Sequence, residues 1–336
     1  MSPATSRLAL LEEARARSVL VVGDAILDLD VHAVALGLSL ETPTLKARKL
    51  RVEPRFGGAG LVVRNLLALG ARAVFLTALG DDAVSDHYAR WSEPGLEQDF
   101  VVAHGRHNTV KERYWIRRAE SSGPEATYKA LQLDALDDAP IAPGVEQAVL
   151  ARAEARMGEV DTVVFADYRH GLLTPSLIEQ LVALARRAGR ATFADSQVSE
   201  HGPNHDRYRG VDCVTLNRLE AERLAPGFTV DETGLRRLEE RLVPARVVVK
   251  LGAAGCLARV DGEAIRFAPP PVTPVDPCGA GDAFLAALAL GDPRRPLESL
   301  ENAVTWGALA TTVHGTAPAD RAALVRLLEP DGHERG

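Results

Sequence analysis

Short apolar runs recur along the chain and are separated by longer stretches of mixed character. The first run, Ser-Val-Leu-Val-Val-Gly at 18–23, is almost wholly apolar and ends at a glycine, which is typical of a strand buried on both faces. Similar β-rich runs follow at 73–79, 162–166, 191–195, 213–216 and 247–251. The pattern therefore predicts a series of buried strands that extends to residue 251.

Stretches with helical periodicity lie between the predicted strands. They are found at 61–69, 175–188, 218–224 and 232–242, and small and apolar residues at 302–310 predict a further helix. Strands that alternate with helices are typical of a mainly parallel sheet with helices on both faces. The predicted fold class is therefore α/β, with three layers and right-handed crossovers.

Two segments, 29–56 and 109–133, depart from this alternation. Both contain β-type alternation without a long helix, and Ser-Ser-Gly-Pro at 121–124 is a turn signal within the second. We interpret them as a small β-sheet that forms a lid over the substrate side. We expect residues 1–336 to form a single domain that contains this lid, with peripheral segments before residue 18 and after residue 320.

Composition and charge exclude several classes of protein. The chain has 336 residues, of which 46% are hydrophobic and 25% charged, and this suits a globular protein. A net charge of −7 argues against nucleic acid as a partner, and no run approaches the roughly 18 apolar residues that span a membrane. The N-terminal residues lack the apolar core of a signal peptide. Because Cys213, Cys256 and Cys278 have no metal-ligand spacing, we expect reduced thiols and a cytoplasmic protein.

The most informative motif is Asp-Pro-Cys-Gly-Ala-Gly-Asp-Ala-Phe at 276–284. Gly279, Ala280 and Gly281 are small and lie at the start of a predicted helix, where free backbone N–H groups and the helix dipole favour a phosphate. Asp282 follows in the first turn, where a carboxylate can take the proton of a hydroxyl that attacks phosphorus. The alternative is that Asp282 only caps a helix after a glycine turn.

Polar residues and glycines also mark the end of the first strand and the start of the next helix. Open α/β sheets bind ligands at the carboxyl ends of their strands, so Asp24 and Asp28 can accept hydrogen bonds from hydroxyl groups of a ligand. For Asp28, a solvated turn residue is an equal alternative. Gly57 and Gly58 allow a ligand to approach the backbone closely, or simply form a tight turn into a helix.

Two later strands end at residues suited to a phosphate-bearing ligand. Lys250 is a point charge that suits polyphosphate, and Gly252 with Gly255 permits a tight loop close to such a ligand. Asn217 and Glu220, after the preceding strand, have the spacing of a helix capping box. The chain contains no Gly-x-x-x-x-Gly-Lys-Ser/Thr sequence, so a P-loop is excluded.

The motif at 276–284 resembles the C-terminal signature of the ribokinase-like (PfkB) carbohydrate kinases, and the resemblance extends over roughly residues 18–318. Within that family the chain looks most similar to the D-glycero-β-D-manno-heptose-7-phosphate kinases of ADP-heptose synthesis. The supporting segments are Val-Val-Gly-Asp at 21–24 with Asp28, Leu-Ser-Leu-Glu-Thr-Pro at 38–43, Gly-Gly-Ala at 57–59 with Arg64 and Asn65, and Ala-Asp-Tyr-Arg-His-Gly-Leu-Leu-Thr at 166–174.

The resemblance implies an ATP-dependent kinase that transfers the γ-phosphoryl group to a hydroxyl of a sugar or sugar phosphate. Asp282 would be the base, and the N–H groups from Gly279 to Asp282 would form an anion hole. Glu220 and Asn217 would place Mg²⁺, a monovalent cation such as K⁺ is a further candidate cofactor, and the lid would mediate a homodimer. The other residues implied are Asp24, Asp28, Gly57, Gly58 and Asp167 for the sugar, and Asn217, Lys250, Gly252, Gly255 and Asn302 for the nucleotide.

Four basic residues cluster on the predicted lid strands, namely Lys111, Arg113, Arg117 and Arg118. Strand alternation places Lys111, Arg113 and Arg117 on one face. A basic face over the sugar site would suit a phosphorylated sugar, and we assign Arg113 to the substrate on this ground. The alternative is a solvated edge strand that its charges keep soluble.

Several positions depart from the family's pattern. Leu61 stands where the family usually has an asparagine that reaches a sugar hydroxyl, His170 replaces a lysine of the heptose kinases, and Pro277 and Cys278 replace threonines. A changed sugar phosphate is therefore as credible as the heptose. The alternatives are a kinase of another small alcohol, such as a nucleoside, and a weakly catalytic sugar-nucleotide sensor on the same fold. We expect no adenylyltransferase domain after residue 320.

Cys278 lies beside the predicted anion-binding turn, just before Gly279. Thiols near helix N-termini tend toward the thiolate, so we expect Cys278 to be reactive and to be protected by Mg²⁺–ATP. The alternative is an inert apolar filler.

Overall fold

The computed structural model describes residues 3–117, 127–199, 202–242 and 246–329. The strands in chain order are β1 (Ser18–Gly23), β2 (Ala25–Leu38), β3 (Leu45–Gly58), β4 (Arg72–Leu79), β5 (Leu96–Val102), β6 (Thr109–Arg117), β7 (Thr127–Ala135), β8 (Thr162–Asp167), β9 (Ala191–Ser196), β10 (Cys213–Asn217), β11 (Arg246–Lys250), β12 (Cys256–Val260) and β13 (Glu263–Phe267). The helices are α1 (Pro3–Glu13), α2 (Ala59–Ala68), α3 (Ala83–Ala89), α4 (Pro143–Arg156), α5 (Pro175–Arg187), α6 (Arg218–Leu224), α7 (Glu232–Leu242), α8 (Ala280–Ala289), α9 (Pro296–Ala310) and α10 (Arg321–Leu328).

The larger sheet has the strand order β13-β12-β11-β10-β9-β8-β1-β4-β5. Every pair from β11 to β5 is parallel, whereas β12 and β13 add an antiparallel edge. The predicted mainly parallel sheet is thus confirmed, and each of its six predicted strands agrees within one residue at either end. The strands that the sequence did not indicate, β5, β12 and β13, lie at or next to the sheet edges, where one face or end meets water and no unbroken apolar run is needed.

Helices cover both faces of this sheet, as the alternation of elements predicts. Successive residues of β1 point to opposite faces, so Val19 and Val21 pack with α2, α8 and α9, whereas Leu20 and Val22 pack with α4, α5, α6 and α7. Two apolar layers therefore hold the central strands rigidly, and the polar residues at the ends of these strands are held in fixed positions as a result.

The smaller sheet has the order β3-β2-β6-β7 and corresponds to the predicted lid. The pair β2–β6 is parallel, and β2–β3 and β6–β7 are antiparallel. The turn predicted at 121–124 lies outside the described residues. Because β2 begins just after β1 ends and β3 runs directly into α2, the lid stands over the carboxyl ends of the central strands.

Both ends of the chain are better packed than the sequence indicated. Leu10 and Leu11 of α1 are buried, as are Leu324 and Leu328 of α10, and α1 contacts both α9 and α10. The expectation of peripheral segments is therefore wrong for these two helices. No helix among the described residues is long and apolar enough to cross a membrane.

Candidate active site

Polar residues gather where neighbouring parallel strands end. β1, β8, β9, β10 and β11 run side by side in one direction, so their carboxyl ends meet at one edge of the sheet. The polar residues at these ends are Asp24, Asp167, Asp195, Asn217 and Lys250. The start of α8 carries the motif predicted to bind an anion. It belongs to the same site, because Lys250 lies beside Gly281 of this helix.

The N-terminus of α8 presents unused backbone donors. Gly279 precedes the helix in the left-handed conformation, with φ of 80°, which favours glycine. The N–H of Ala280 donates to Pro277 O at 3.3 Å, whereas the N–H groups of Gly279, Gly281 and Asp282 have no acceptor among the described residues. Three free donors at the positive end of a helix form the predicted anion cradle.

Asp282 lies in the first turn of α8 and is held by one oxygen. The hydroxyl of Tyr168 donates to Oδ1, while Oδ2 lies 3.9 Å from the point that a Cβ on Gly279 would occupy. The pKa of Asp282 is raised to about 7, chiefly by burial and in part by the Asp195 carboxylate, although the Tyr168 hydroxyl and the Lys250 ammonium act to lower it. A carboxyl with a pKa near neutrality is suited to general-base catalysis.

Lys250 connects the cradle to the sheet edge. Its Nζ forms an ion pair with Asp195 Oδ2, which also accepts from the hydroxyl of Thr215. A Cβ on Gly281 would stand 3.4 Å from Lys250 Nζ, so the ammonium lies directly beside the free N–H groups. Burial lowers the pKa of Lys250, but the carboxylates of Asp195 and Glu220 outweigh it, and the ammonium stays charged.

Asn217 and Glu220 form the capping box that their spacing predicts. Asn217 Oδ1 accepts from the Glu220 N–H at 2.9 Å, and Glu220 Oε2 accepts from the Asn217 N–H at 2.6 Å. Burial raises the pKa of Glu220, and the nearby charge of Asp195 raises it further. Glu220 thus has a structural role at the start of α6 and also faces the charged cluster around Lys250.

The donor set at this edge fits Mg²⁺ delivered with a nucleotide. The described residues contain no group of three His, Cys, Asp or Glu side chains that could hold a metal ion by themselves. Mg²⁺ keeps several waters and is usually bound through one or two carboxylates together with substrate phosphates. Glu220, next to the phosphate cradle, provides a carboxylate of this kind.

The lid contributes a second charged group above the sheet edge. Arg113 Nη1 of β6 donates to Asp28 Oδ1 of β2 at 2.6 Å, and both side chains are nearly buried. A Cβ on Gly57 would stand 2.2 Å from Asp28 Oδ2, so only glycine leaves room for this carboxylate. Burial raises the pKa of Asp28, and Arg113 opposes that shift.

The predicted basic face of the lid is only partly described. Lys111 and Arg113 pair directly with Asp28 and Asp30 across β2 and β6, so these two basic residues share one face, as predicted. Arg117 closes β6, and Arg118 lies outside the described residues. The basic charge that faces the site is partly neutralised, because Arg113 is paired with Asp28.

A model of the pfkB family carbohydrate kinases matches residues 16–322. The chain belongs to this family. It is accordingly a phosphotransferase with an alcohol group as acceptor.

Two curated relatives of this pfkB-family kinase carry the name bifunctional protein HldE. The protein from Caulobacter sp. (strain K31) is 34% identical over 310 residues, which cover 89% of this chain and 60% of the relative. The protein from Rhodopseudomonas palustris (strain TIE-1) is 30% identical over 331 residues, which cover 96% of this chain and 65% of the relative. The chain therefore spans less than two thirds of the length of these relatives.

Solved structures share the ribokinase-like fold. Phosphofructokinase-2 from Escherichia coli, in complex with potassium, matches with a TM-score of 0.66 and 20% identity over 93% of this chain and 99% of that one. Ribokinase from Arabidopsis thaliana, complexed with ribose and ATP, matches with a TM-score of 0.64 and 20% identity over 94% and 99%. At this identity the likeness establishes the fold.

Two aspartates that were assigned to the sugar, Asp24 and Asp167, accept hydrogen bonds from groups of this pfkB-family kinase itself. Asp24 accepts from the N–H groups of Tyr168, His170 and Leu172 at 2.9, 3.3 and 3.3 Å. Asp167 is buried and accepts four hydrogen bonds, from Arg169 N–H, Ser196 Oγ, Asn204 Nδ2 and Tyr208 OH. These carboxylates organise the loop after β8, and Asp28 is the aspartate that the structure brings to the lid side of the site.

The structure also corrects the assignment of Asn302 to the nucleotide. Its amide lies beneath α1, where Oδ1 accepts from Arg7 Nε at 2.9 Å and Nδ2 donates to Arg7 O at 3.2 Å. The predicted helix at 302–310 is present as the C-terminal part of α9, and α1 packs against α9. Gly252 and Gly255 lie in the turn between β11 and β12, and their contact with a nucleotide stays a prediction.

The surroundings of Cys278 oppose the thiolate that its position suggested. Burial raises the pKa of its thiol, and the adjacent Asp276 carboxylate raises it further, while Arg113 acts in the opposite direction. The helix-terminus argument is therefore outweighed by desolvation and a neighbouring negative charge. The raised pKa argues against a ready thiolate and favours the inert alternative.

Two functional candidates, Asp195 and Tyr168, were missed from the sequence. Asp195 ends a strand that the sequence did predict, so the rule that selected Asp24 would also have selected it. Tyr168 lies within the segment 166–174 that supports the resemblance, but it was given no role, because an aromatic residue after a strand usually packs in the core. A cavity of about 1060 Å³ lies at the opposite edge of the sheet, where Ala191, Cys213 and Arg246 begin their strands, away from this chemistry.

Proposed function

We propose that this chain transfers the γ-phosphoryl group of ATP to a hydroxyl of a sugar phosphate, with heptose 7-phosphate as the first candidate. The observation that carries the proposal is the placement of Asp282 Oδ2 toward Gly279, beside three free N–H groups and Lys250 Nζ. A base and an anion cradle in the first turn of α8, with a cation beside them, are the components that phosphoryl transfer needs. The HldE relatives support the heptose as candidate.

The proposed reaction follows from these positions. The acceptor hydroxyl attacks the γ-phosphorus, its proton passes to Asp282 Oδ2, and the bond from phosphorus to the β–γ bridging oxygen breaks to release ADP. Negative charge that develops on the transferring group meets the N–H groups of Gly279, Gly281 and Asp282 and the ammonium of Lys250. Mg²⁺, held with the nucleotide near Glu220 and Asn217, would offset charge on the phosphates.

The acceptor would be bound between the sheet edge and the lid. Asp28 and the backbone at Gly57 and Gly58 are placed to contact its hydroxyls, and Arg113 and Lys111 are placed on the lid face above. His170 does not replace the positive charge of a lysine, because burial lowers its pKa to about 4 and leaves it neutral. Leu61, which packs against Gly279, also removes a polar contact, so the sugar can differ from heptose.

A screen of acceptors for ADP release tests the proposal. Heptose 7-phosphate, fructose 6-phosphate, ribose and a nucleoside are compared at equal concentration, with Asp282→Asn protein as the blank. Highest kcat/KM for a phosphorylated sugar supports the proposal. A preference for the nucleoside would favour a kinase of another small alcohol, and nucleotide binding without turnover of any acceptor would favour the sensor. Repeating the best reaction with and without K⁺ tests the monovalent cation, which the potassium-bound phosphofructokinase-2 neighbour motivates.

We expect Arg113→Ala to raise KM for a phosphorylated sugar by about tenfold or more and to leave KM for ATP almost unchanged. The reason is that a charge-assisted hydrogen bond to the phosphate is lost on the lid side only. Because the change also leaves Asp28 without its partner, the unphosphorylated sugar is measured in parallel. Arg48→Ala, at an exposed position of β3, is the control. Equal effects on both sugars would mean that Arg113 only supports Asp28.

We further propose a homodimer formed through the lid. Val52, Val31, Tyr114 and Leu131 pair across all four strands and so lie on one face, opposite the face of Asp28 and Arg113. Leu131 and Leu133 remain 48% and 49% exposed, although they are large and apolar. A second copy that covers this face would bury them, since exposed apolar surface of this kind favours association.

Light scattering after size exclusion tests the dimer. We expect about twice the chain mass for the wild type and a monomer for Leu131→Glu, because a buried unpaired carboxylate is costly at an interface. Leu219→Glu, at an equally exposed leucine on α6, is the matched control and should not change the mass. A monomeric wild type at micromolar concentration would overturn this proposal.

A further inference from the structure

Tyr168 lies between two carboxylates at the edge of the central sheet. It follows β8 directly, and its N–H donates to Asp24 Oδ2 at 2.9 Å. Its hydroxyl donates to Asp282 Oδ1, so the side chain reaches from the loop after β8 to the first turn of α8. Tyr168 therefore connects the rigid end of β1 to the residue assigned as the base.

The loop that carries Tyr168 is held in a fixed conformation. Asp24 accepts from the N–H groups of His170 and Leu172 as well, and Asp167 accepts from the Arg169 N–H at 2.9 Å. Arg169 has φ of 64°, in the left-handed region that residues other than glycine rarely adopt. A strained residue persists only where its surroundings over-determine it, and such residues cluster at functional sites.

We infer that Tyr168 is the positioning residue of the phosphoryl-transfer base: it holds Oδ1 of Asp282 and leaves Oδ2, which faces Gly279, to take the acceptor proton. This inference rests on the proposed function, because it assumes that Asp282 is the base. It also gives Asp24 a defined role, which is to hold the backbone of Tyr168 instead of a sugar hydroxyl. One oxygen of the carboxylate is thus used for orientation and the other for chemistry.

The charges around Asp282 indicate what the hydrogen bond does. The groups that face its carboxylate are Tyr168 from the loop after β8, Asp195 from β9, Lys250 from β11 and Asp28 from the lid. Burial, Asp195 and Asp28 raise the pKa of Asp282, whereas Tyr168 and Lys250 lower it. A hydroxyl that donates to a carboxylate stabilises its charged form, so Tyr168 keeps the base more available at neutral pH.

Tyr168 itself is unsuited to act as the base. Burial raises the pKa of its hydroxyl well above the ordinary value, and the negative charge of Asp282 raises it further. The phenol therefore stays protonated at working pH and remains a hydrogen-bond donor. It is a positioning residue, and its effect should be visible as a change in the titration of Asp282.

The test is the pH profile of kcat/KM for the best acceptor in Tyr168→Phe protein. We expect the rising limb to move to higher pH by about one to two units, the size expected for one hydrogen bond to a charged group. Activity at pH 7 should fall by about tenfold or more and recover in part at high pH, with KM for ATP unchanged. A merely structural role would lower activity at all pH values without moving the limb.

Two comparisons sharpen the result. Tyr208→Phe removes another buried hydroxyl, one that donates to Asp167 at 2.8 Å and does not contact Asp282, and its limb should match the wild type. Site-specific 3-fluorotyrosine at position 168 preserves packing, strengthens the donor and should move the limb to lower pH. An unmoved limb in both Tyr168 variants would overturn the inference, whereas full activity of Asp282→Asn would overturn the proposed function itself.

Discussion

Asp282→Asn is expected to lower kcat by about 10²–10⁴, the usual contribution of a positioned general base. Asparagine has the shape of aspartate, and its Oδ1 can still accept from the Tyr168 hydroxyl, so the first turn of α8 should keep its geometry. What is lost is the oxygen that takes the acceptor proton. Nucleotide affinity should change little, because the N–H groups of Gly279 and Gly281 and the Lys250 ammonium are untouched.

The measurement is ADP release under saturating substrates, together with nucleotide affinity by calorimetry. Asp261→Asn is the matched control, since Asp261 lies in the exposed turn between β12 and β13 with φ of 51°, which asparagine tolerates well. In the wild type, kcat/KM should fall as pH drops through about 7, because a raised pKa means that protonation removes the base there. Normal turnover in Asp282→Asn would remove Asp282 from this role.

The central fold could be predicted because its strands are buried on both faces. A parallel strand covered by helices must be apolar along its length, and β1, β4, β8 and β11 all stand out on that ground. Edge strands such as β5 and β13 meet water and carry exposed charged residues such as Glu97 and Arg266, so they contain no unbroken apolar run that would identify them. The lid was recognised by the absence of helical periodicity.

The parts of the site that depend on backbone geometry could be predicted from the sequence. The hydrogen-bond partners of individual side chains could be predicted less well. Gly279 and Asp282 are fixed by the geometry of a helix N-terminus, which the spacing of the motif specifies. Asp24 and Asp28 both follow the first strand in the sequence. Only the folded chain reveals that loop N–H groups donate to Asp24, whereas Arg113 pairs with Asp28. Asn302 illustrates the same limit, since its partner Arg7 is distant in sequence.

Lys250→Met is expected to lower kcat/KM for ATP by about 10²-fold or more, because one fixed donor to the transferring phosphate is lost. The change also leaves Asp195 without its cation in a cluster that contains Glu220 and Asp282. Removing one partner of a fully buried ion pair destabilises a protein by about 3–5 kcal/mol. The loss should be smaller here, because Lys250 and Asp195 retain 16% and 20% exposure.

A double-mutant cycle with Asp195→Asn separates the two effects of Lys250. In Lys250→Met/Asp195→Asn the unpaired carboxylate is gone, so the free energy of unfolding should recover most of what the single change loses. The turnover of ATP should not recover, because the cation beside Gly281 is still missing. Asp195→Asn alone keeps the ammonium and should retain far more activity than Lys250→Met. If the double variant regained wild-type kcat/KM along with stability, Lys250 would only neutralise Asp195, and the phosphate cradle would consist of the N–H groups of α8 alone.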